Sequence, residues 1–122
     1  MANEISITTL MTVSNGKVFD QWRFTNLFFN QNNPGFDANI WSVTTSAVNL
    51  SPNNITTKGY VAFRNTDSTN YVTIGYDDSG TLRDLIKLNP GEVALFRVLS
   101  TRTIRGQANT ATVKVEYTIF ED

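Results

Sequence analysis

The 122-residue sequence predicts an all-β protein: one antiparallel β-sandwich, jelly-roll-like, over residues 1–122. Three observations predict it. Apolar and polar residues alternate with period two in segment after segment. Turn signals rich in Asn, Asp, Gly and Pro separate those segments at short, regular spacing. Only Val18 to Phe29 also reads as a helix, and there Val18, Trp22 and Phe29 stack less cleanly.

The first strand starts at Ile5. Ile5, Ile7, Thr9, Met11 and Val13 share one face, and Ser6, Thr8 and Thr12 the other. Ser14-Asn15-Gly16-Lys17 is a tight turn, where Asn-Gly supplies positive φ. Val18 to Phe29 reads as a strand or a helix, and its aromatic content favours strand. A regular strand there puts Val18, Trp22, Phe24 and Phe28 on one face and Phe19, Leu27 and Phe29 on the other. Asn30-Gln-Asn-Asn-Pro-Gly35 is a loop by composition. A strand follows over Asn39 to Thr45, and Val48 to Leu50 forms a short edge strand that Pro52 stops.

The second half alternates more cleanly. Gly59–Asn65, Tyr71–Tyr76, Arg83–Leu88, Glu92–Leu99 and Thr110–Phe120 are predicted strands. Their links are Thr66–Asn70, Asp77–Gly80, Asn89–Gly91 and Arg105–Asn109. In the last strand Ala111, Val113, Val115, Tyr117 and Ile119 are assigned to the core.

Composition removes several kinds of chemistry. With no Cys and no His, the chain has no disulfide, no thiolate nucleophile, no Cys/His zinc site and no His-dependent triad. Charged residues are 17% of the chain and the net charge is −1. Thr, Asn and Ser make up about a third of it instead. That balance is unlike a basic nucleic-acid binder, and Arg64, Arg97, Arg102 and Arg105 are expected to form ion pairs. The N-terminus lacks a signal peptide's basic and apolar regions, and the longest apolar run is Leu27-Phe28-Phe29. No membrane partner is expected.

Candidate catalytic pairs are weak. Asp84 and Glu92 flank the Asn89-Pro90-Gly91 turn, but Glu after Pro-Gly is ordinary turn chemistry. Asp77-Asp78-Ser79-Gly80 lacks the ligand spacing of an EF-hand and reads as a hairpin tip; a surface calcium site with Asp67 or Asp37 is the residual alternative. No cofactor is expected. Trp22, Trp41 and Tyr76 are candidate glycan contacts, the basis of a carbohydrate-binding-module alternative, although aromatics in so small a domain mostly serve the core.

Three motifs recur in a telling order. Gly59-Tyr-Val-Ala-Phe-Arg-Asn-Thr-Asp-Ser-Thr-Asn-Tyr-Val-Thr-Ile-Gly75 is strand, Asn-Thr-Asp, strand. Leu85-Ile-Lys-Leu-Asn-Pro-Gly-Glu-Val-Ala-Leu-Phe-Arg97 is strand, Pro-Gly-Glu, strand. Ile104-Arg-Gly-Gln-Ala-Asn-Thr-Ala and a terminal strand follow. This order, over Lys58 to Asp122, resembles small β-sandwich structural proteins of tailed bacteriophages. The resemblance implies a non-enzymatic virion protein made in the host cytoplasm. The preferred role is a capsid decoration or cement protein, homo-oligomeric, docking on the major capsid protein; a neck or tail adaptor or fibre base is the alternative. The candidate interface is the segment from Ala2 to Ser14 and the Asn-rich loop, with Ile5, Ile7, Asn30, Asn32, Pro34 and Phe36 as contacts. Terminal strands can add to a neighbour's sheet, and the loop has no evident core duty.

Overall fold

The structure, a computed structural model, describes residues 3–122. It is all-β, and the chain divides into two compact units, residues 1–32 and 33–122. The sandwich therefore occupies residues 33–122, not the whole chain, and the first two strands form a unit of their own.

That first unit is a hairpin of β1 (Ile5–Asn15) and β2 (Val18–Phe29). The two-residue turn is Gly16-Lys17, because Asn15 still pairs with Val18. Gly16 takes φ +58°, as the first turn position of a II′ hairpin requires. β2 is a strand throughout, but not a regular one. Ile7 faces Leu27 and Thr9 faces Phe24, so two residues, Thr25 and Asn26, stand opposite Thr8. This is a β-bulge. Asn26 adopts the left-handed conformation at φ 54°, which Asn tolerates better than most residues, and its N–H donates to Thr8 Oγ1 at 3.2 Å.

The second unit holds eight strands: β3 (Phe36–Val43), β4 (Val48–Asn49), β5 (Lys58–Asn65), β6 (Val72–Asp78), β7 (Thr81–Leu88), β8 (Val93–Arg97), β9 (Ile104–Ala108) and β10 (Val113–Glu121). Two sheets form, in the orders β3-β10-β5-β8 and β4-β9-β6-β7, with every pairing antiparallel. The first strand of the eight pairs with the last, the second with the seventh, the third with the sixth and the fourth with the fifth. That nested pairing is a jelly roll; the alternation predicts the antiparallel sandwich, and the strand order comes from the structure.

β9 is a correction to the reading of Arg105–Asn109 as a link. Its residues look loop-like, but Ile104, Gly106 and Ala108 alternate inward. Gly106 is small for a reason: a Cβ there would lie 2.7 Å from Trp41 Cη2. β3 starts earlier than Asn39, and β10 later than Thr110, leaving Ala111 exposed.

The core lies between the sheets. Val43, Val61, Phe63, Val72, Ile74, Val113, Val115 and Ile119 are buried, alternating with outward polar residues. Two polar residues join them. Asn65 is fully buried, and both polar groups of its side chain are hydrogen-bonded. Its Nδ2 donates to the carbonyls of Asn70 (2.9 Å) and Leu88 (3.0 Å), and its Oδ1 accepts from the Asp67 N–H (2.8 Å). Its backbone bonds Glu92 and Gly91. One side chain thus fastens the β5–β6 loop to the β7–β8 turn. Asp37 is the other. Its Oδ2 accepts from Tyr117 Oη (2.6 Å) and from the Asn53 N–H (3.1 Å). The loop that the sequence left without core duty therefore runs into a core residue.

A second bulge sits in β7. Ile74 faces Ile86 and Gly75 faces Asp84, so Leu85 is extra. The backbone closes so tightly that a Cβ on Gly75 would come 1.7 Å from the Arg83 carbonyl oxygen. Gly75→Ala should destabilise the protein by about 2–3 kcal/mol, as overpacking does, read as a lower midpoint in urea unfolding.

Burial raises the Tyr117 hydroxyl pKa to about 12, and the hydrogen bond to Asp37 adds to the rise. Unfolded tyrosine titrates near about 10. The neutral phenol is thus favoured by folding. Its stabilisation is complete below about pH 10 and is lost as the pH rises through the folded value. Between those values the unfolding free energy should fall more steeply in the wild type than in Tyr117→Phe, measured by urea titration at each pH.

Candidate functional site

Directly opposed residues of paired strands share a face, and successive residues alternate. On a regular β2, that rule would divide Trp22 and Phe24 from Leu27 and Phe29. The bulge at Asn26 adds one residue and reverses the count. Ile5, Ile7, Thr9, Met11 and Val13 of β1 therefore face Phe29, Leu27, Phe24, Trp22 and Asp20 of β2. Every large side chain of this face is apolar, and Asp20 is its one charge. Trp22 and Phe24 meet edge to face with centroids 4.5 Å apart. The opposite face carries Ser6, Thr8, Leu10, Thr12 and Ser14 against Phe28, Arg23, Gln21 and Phe19. The predicted partition of β2 is corrected accordingly: Phe28 leaves the Trp22 face, and Leu27 and Phe29 join it. The Val18 side chain, assigned to that face from the sequence, lies outside the described side chains.

This apolar face is open. Met11 is 66% exposed and Trp22 53%, with Val13, Phe24 and Leu27 also exposed. Ile5 and Ile7, predicted contacts, are half-buried on the same face. Together the exposed side chains present roughly 500 Å² of apolar surface, the size at which a patch on a soluble chain marks an interaction site.

The predicted interface residues divide between the units. Ile5, Ile7, Asn30 and Asn32 belong to the hairpin unit, where Asn30 Oδ1 accepts from the Asn3 N–H at 3.0 Å. Pro34 and Phe36 belong to the sandwich unit, both exposed. Ala2, the start of the predicted contact segment, lies outside the described residues.

The glycan candidates do not form a platform. Trp41 is 6% exposed and packs in the core against Phe63, so it offers no ring face to a sugar. Tyr76 is half-buried under the Arg102 guanidinium, 4.7 Å from its ring centroid. Trp22 lies on the hairpin.

The sandwich unit has an open apolar feature that the sequence reading missed. Between the edges of β7 and β8 the two sheets part, leaving a cleft of about 670 Å³. Ile74, Ile86, Phe96, Val98 and Ile104 line its walls. Leu85, the bulged residue, and Leu99 stand beside it at 79% and 64% exposure. Two guanidinium groups border it. Arg97 pairs with Asp122 (2.9 Å), whereas Arg102 rests on Tyr76 and makes no ion pair among the described residues. Nothing in a local pattern marks a cleft; it arises where two edge strands from different sheets diverge.

The polar residues singled out for chemistry act locally. Glu92 closes the Asn89–Gly91 turn by accepting from the Asn89 N–H at 2.7 Å. Asp67 accepts from the Asn70 and Thr69 N–H groups, which hold its carboxyl below the usual range. Asp77 accepts from the Gly80 N–H and lies 3.6 Å from Arg105. Among the described residues no group of three or more acidic side chains is placed to hold a metal ion. No helix there is long and apolar enough to cross a membrane.

No family model matches the chain, and no curated protein matches it. Among solved structures it is similar to one described as Bacillus endospore appendages that form a novel family of disulfide-linked pili. The identity is 20% and the TM-score 0.49, over 80% of this chain and 98% of that one.

Proposed function

We propose that this chain is a non-enzymatic structural subunit of a multicopy assembly, and that the hairpin is its attachment element. The observation that carries this reading is the exposed apolar surface of β1 and β2. A lone two-stranded hairpin is marginal in water. Here Met11, Trp22 and Phe24 are exposed on one side and Leu10, Phe19 and Phe28 on the other, apolar surface that contact with a partner would cover. The sandwich unit supplies the complement, a jelly roll with its own complete core.

Within that class we propose a virion protein of a tailed bacteriophage, decorating the capsid by docking on the major capsid protein. This finer reading is supported by the order of turn motifs from Lys58 to Asp122. Multiple weak contacts by symmetric copies would give firm attachment through effective concentration.

The test is the mass of the purified protein by light scattering across a concentration series, followed by co-sedimentation with empty phage capsids. Oligomers are expected, and many copies per particle. Trp22→Glu places a charge in the middle of the apolar face. It should weaken association by at least roughly tenfold, on the scale of an interface anchor, with an unchanged circular dichroism spectrum. A chain that stays monomeric throughout defeats the assembly reading. Oligomers that ignore capsids defeat the decoration reading alone.

A further inference from the structure

We propose that the apolar hairpin face of one copy docks into the β7/β8 cleft of a second copy, so that the protein associates head to tail. This deepens the assembly reading and rests on it. Two of the apolar surfaces that the chain exposes are complementary. The hairpin offers a flat row of large side chains and the two open edges of its sheet. The cleft offers apolar walls between two edge strands, whose outer backbone groups are available for strand addition.

Three observations favour this occupant over a second hairpin. The first is area. Two hairpins packed face to face would bury roughly 500 Å² each, short of the about 800 Å² per partner of a standard interface. A strand entering between two sheet edges is covered on more than one side and also covers Leu85 and Leu99. The second is charge. Asp20 is the one charge on the hairpin face, and Arg102 stands beside the cleft without an ion pair among the described residues. Two hairpin faces would instead set Asp20 against a copy of itself. The third is economy of exposed surface: one contact removes the Trp22 face and the cleft from water together, whereas hairpin self-pairing leaves the cleft wet.

The chain has no cysteine, so introduced ones report without background. Met11→Cys lies on the hairpin face and Leu99→Cys beside the cleft, both at exposed positions that tolerate substitution. Leu10→Cys, exposed on the opposite face, is the control. The two variants are mixed and oxidised. A Met11–Leu99 linked dimer is expected, several-fold more abundant than the Leu10–Leu99 product. Asp20→Arg in one copy and Arg102→Asp in the other should each lower the yield when introduced alone, and together restore it. Two results overturn the proposal: linkage of Met11→Cys only to itself, or no linkage in samples that light scattering shows to be oligomeric. In the last case the assembly reading survives. If the protein is also monomeric at every concentration, both fall.

Discussion

One extra residue in β2 governs what the hairpin can do. Side chains of a strand alternate without exception, so apolar residues at odd and even positions necessarily part company. Trp22 and Phe24 have the parity opposite to Leu27 and Phe29. The bulge at Asn26 cancels that difference and gathers all four beside Ile5, Ile7 and Met11. Its cost is one residue in the left-handed conformation, met by Asn, and one displaced ladder group, met by Thr8. Without the bulge Leu27 and Phe29 would lie on the other face with Phe19, and Phe28 would take their place beside Trp22 and Phe24.

The same device recurs in the sandwich. Leu85 is the extra residue of β7, and Gly75 leaves room for the backbone to close around it. A bulge in an edge strand disturbs its flat outer ladder, which discourages indiscriminate strand addition. It also leaves a leucine beside the cleft. The Trp22 face and the cleft therefore each sit next to a single-residue irregularity. Bulges are common where a sheet must re-aim a side chain.

The alternating strands were legible because burial on one face writes period two into the sequence. β5, β6 and β10 show it plainly, and their turns point to an antiparallel sandwich, while the strand order that makes it a jelly roll is not written in any local pattern. β9 escaped because its inward positions include Gly106, whose smallness serves Trp41 rather than any local propensity. Asp37 escaped for a similar reason. A carboxylate in an Asn-rich loop reads as solvent-facing until Tyr117, eighty positions away, is seen to donate to it. Trp41 was offered to a sugar because a sequence does not distinguish a core indole from an exposed one. The bulge at Asn26 left a trace, a Thr-Asn pair inside an aromatic strand, but only the register with β1 makes it a bulge. The hairpin's residues were thus identified as contacts, while the face they form was not.

The two units meet different physical requirements. The sandwich has a closed set of interactions: a packed inter-sheet core, and Asn65 joining the β5–β6 loop to the β7–β8 turn with every polar group of its side chain used. Such a unit has a core of its own before it meets a partner. The hairpin has no second layer of its own, so its apolar face gains burial only through contact. Folding and attachment are thereby assigned to separate stretches of chain, and the mode of attachment decides the symmetry. A hairpin that packs on its own likeness closes a two-fold pair and stops. A hairpin that enters a different surface leaves one free hairpin and one free cleft at the ends of every chain of copies, so growth continues until the rotation closes a ring or does not. The placement of the hairpin face and the β7/β8 cleft on the same polypeptide makes that second, repeating form of contact available to a single kind of subunit.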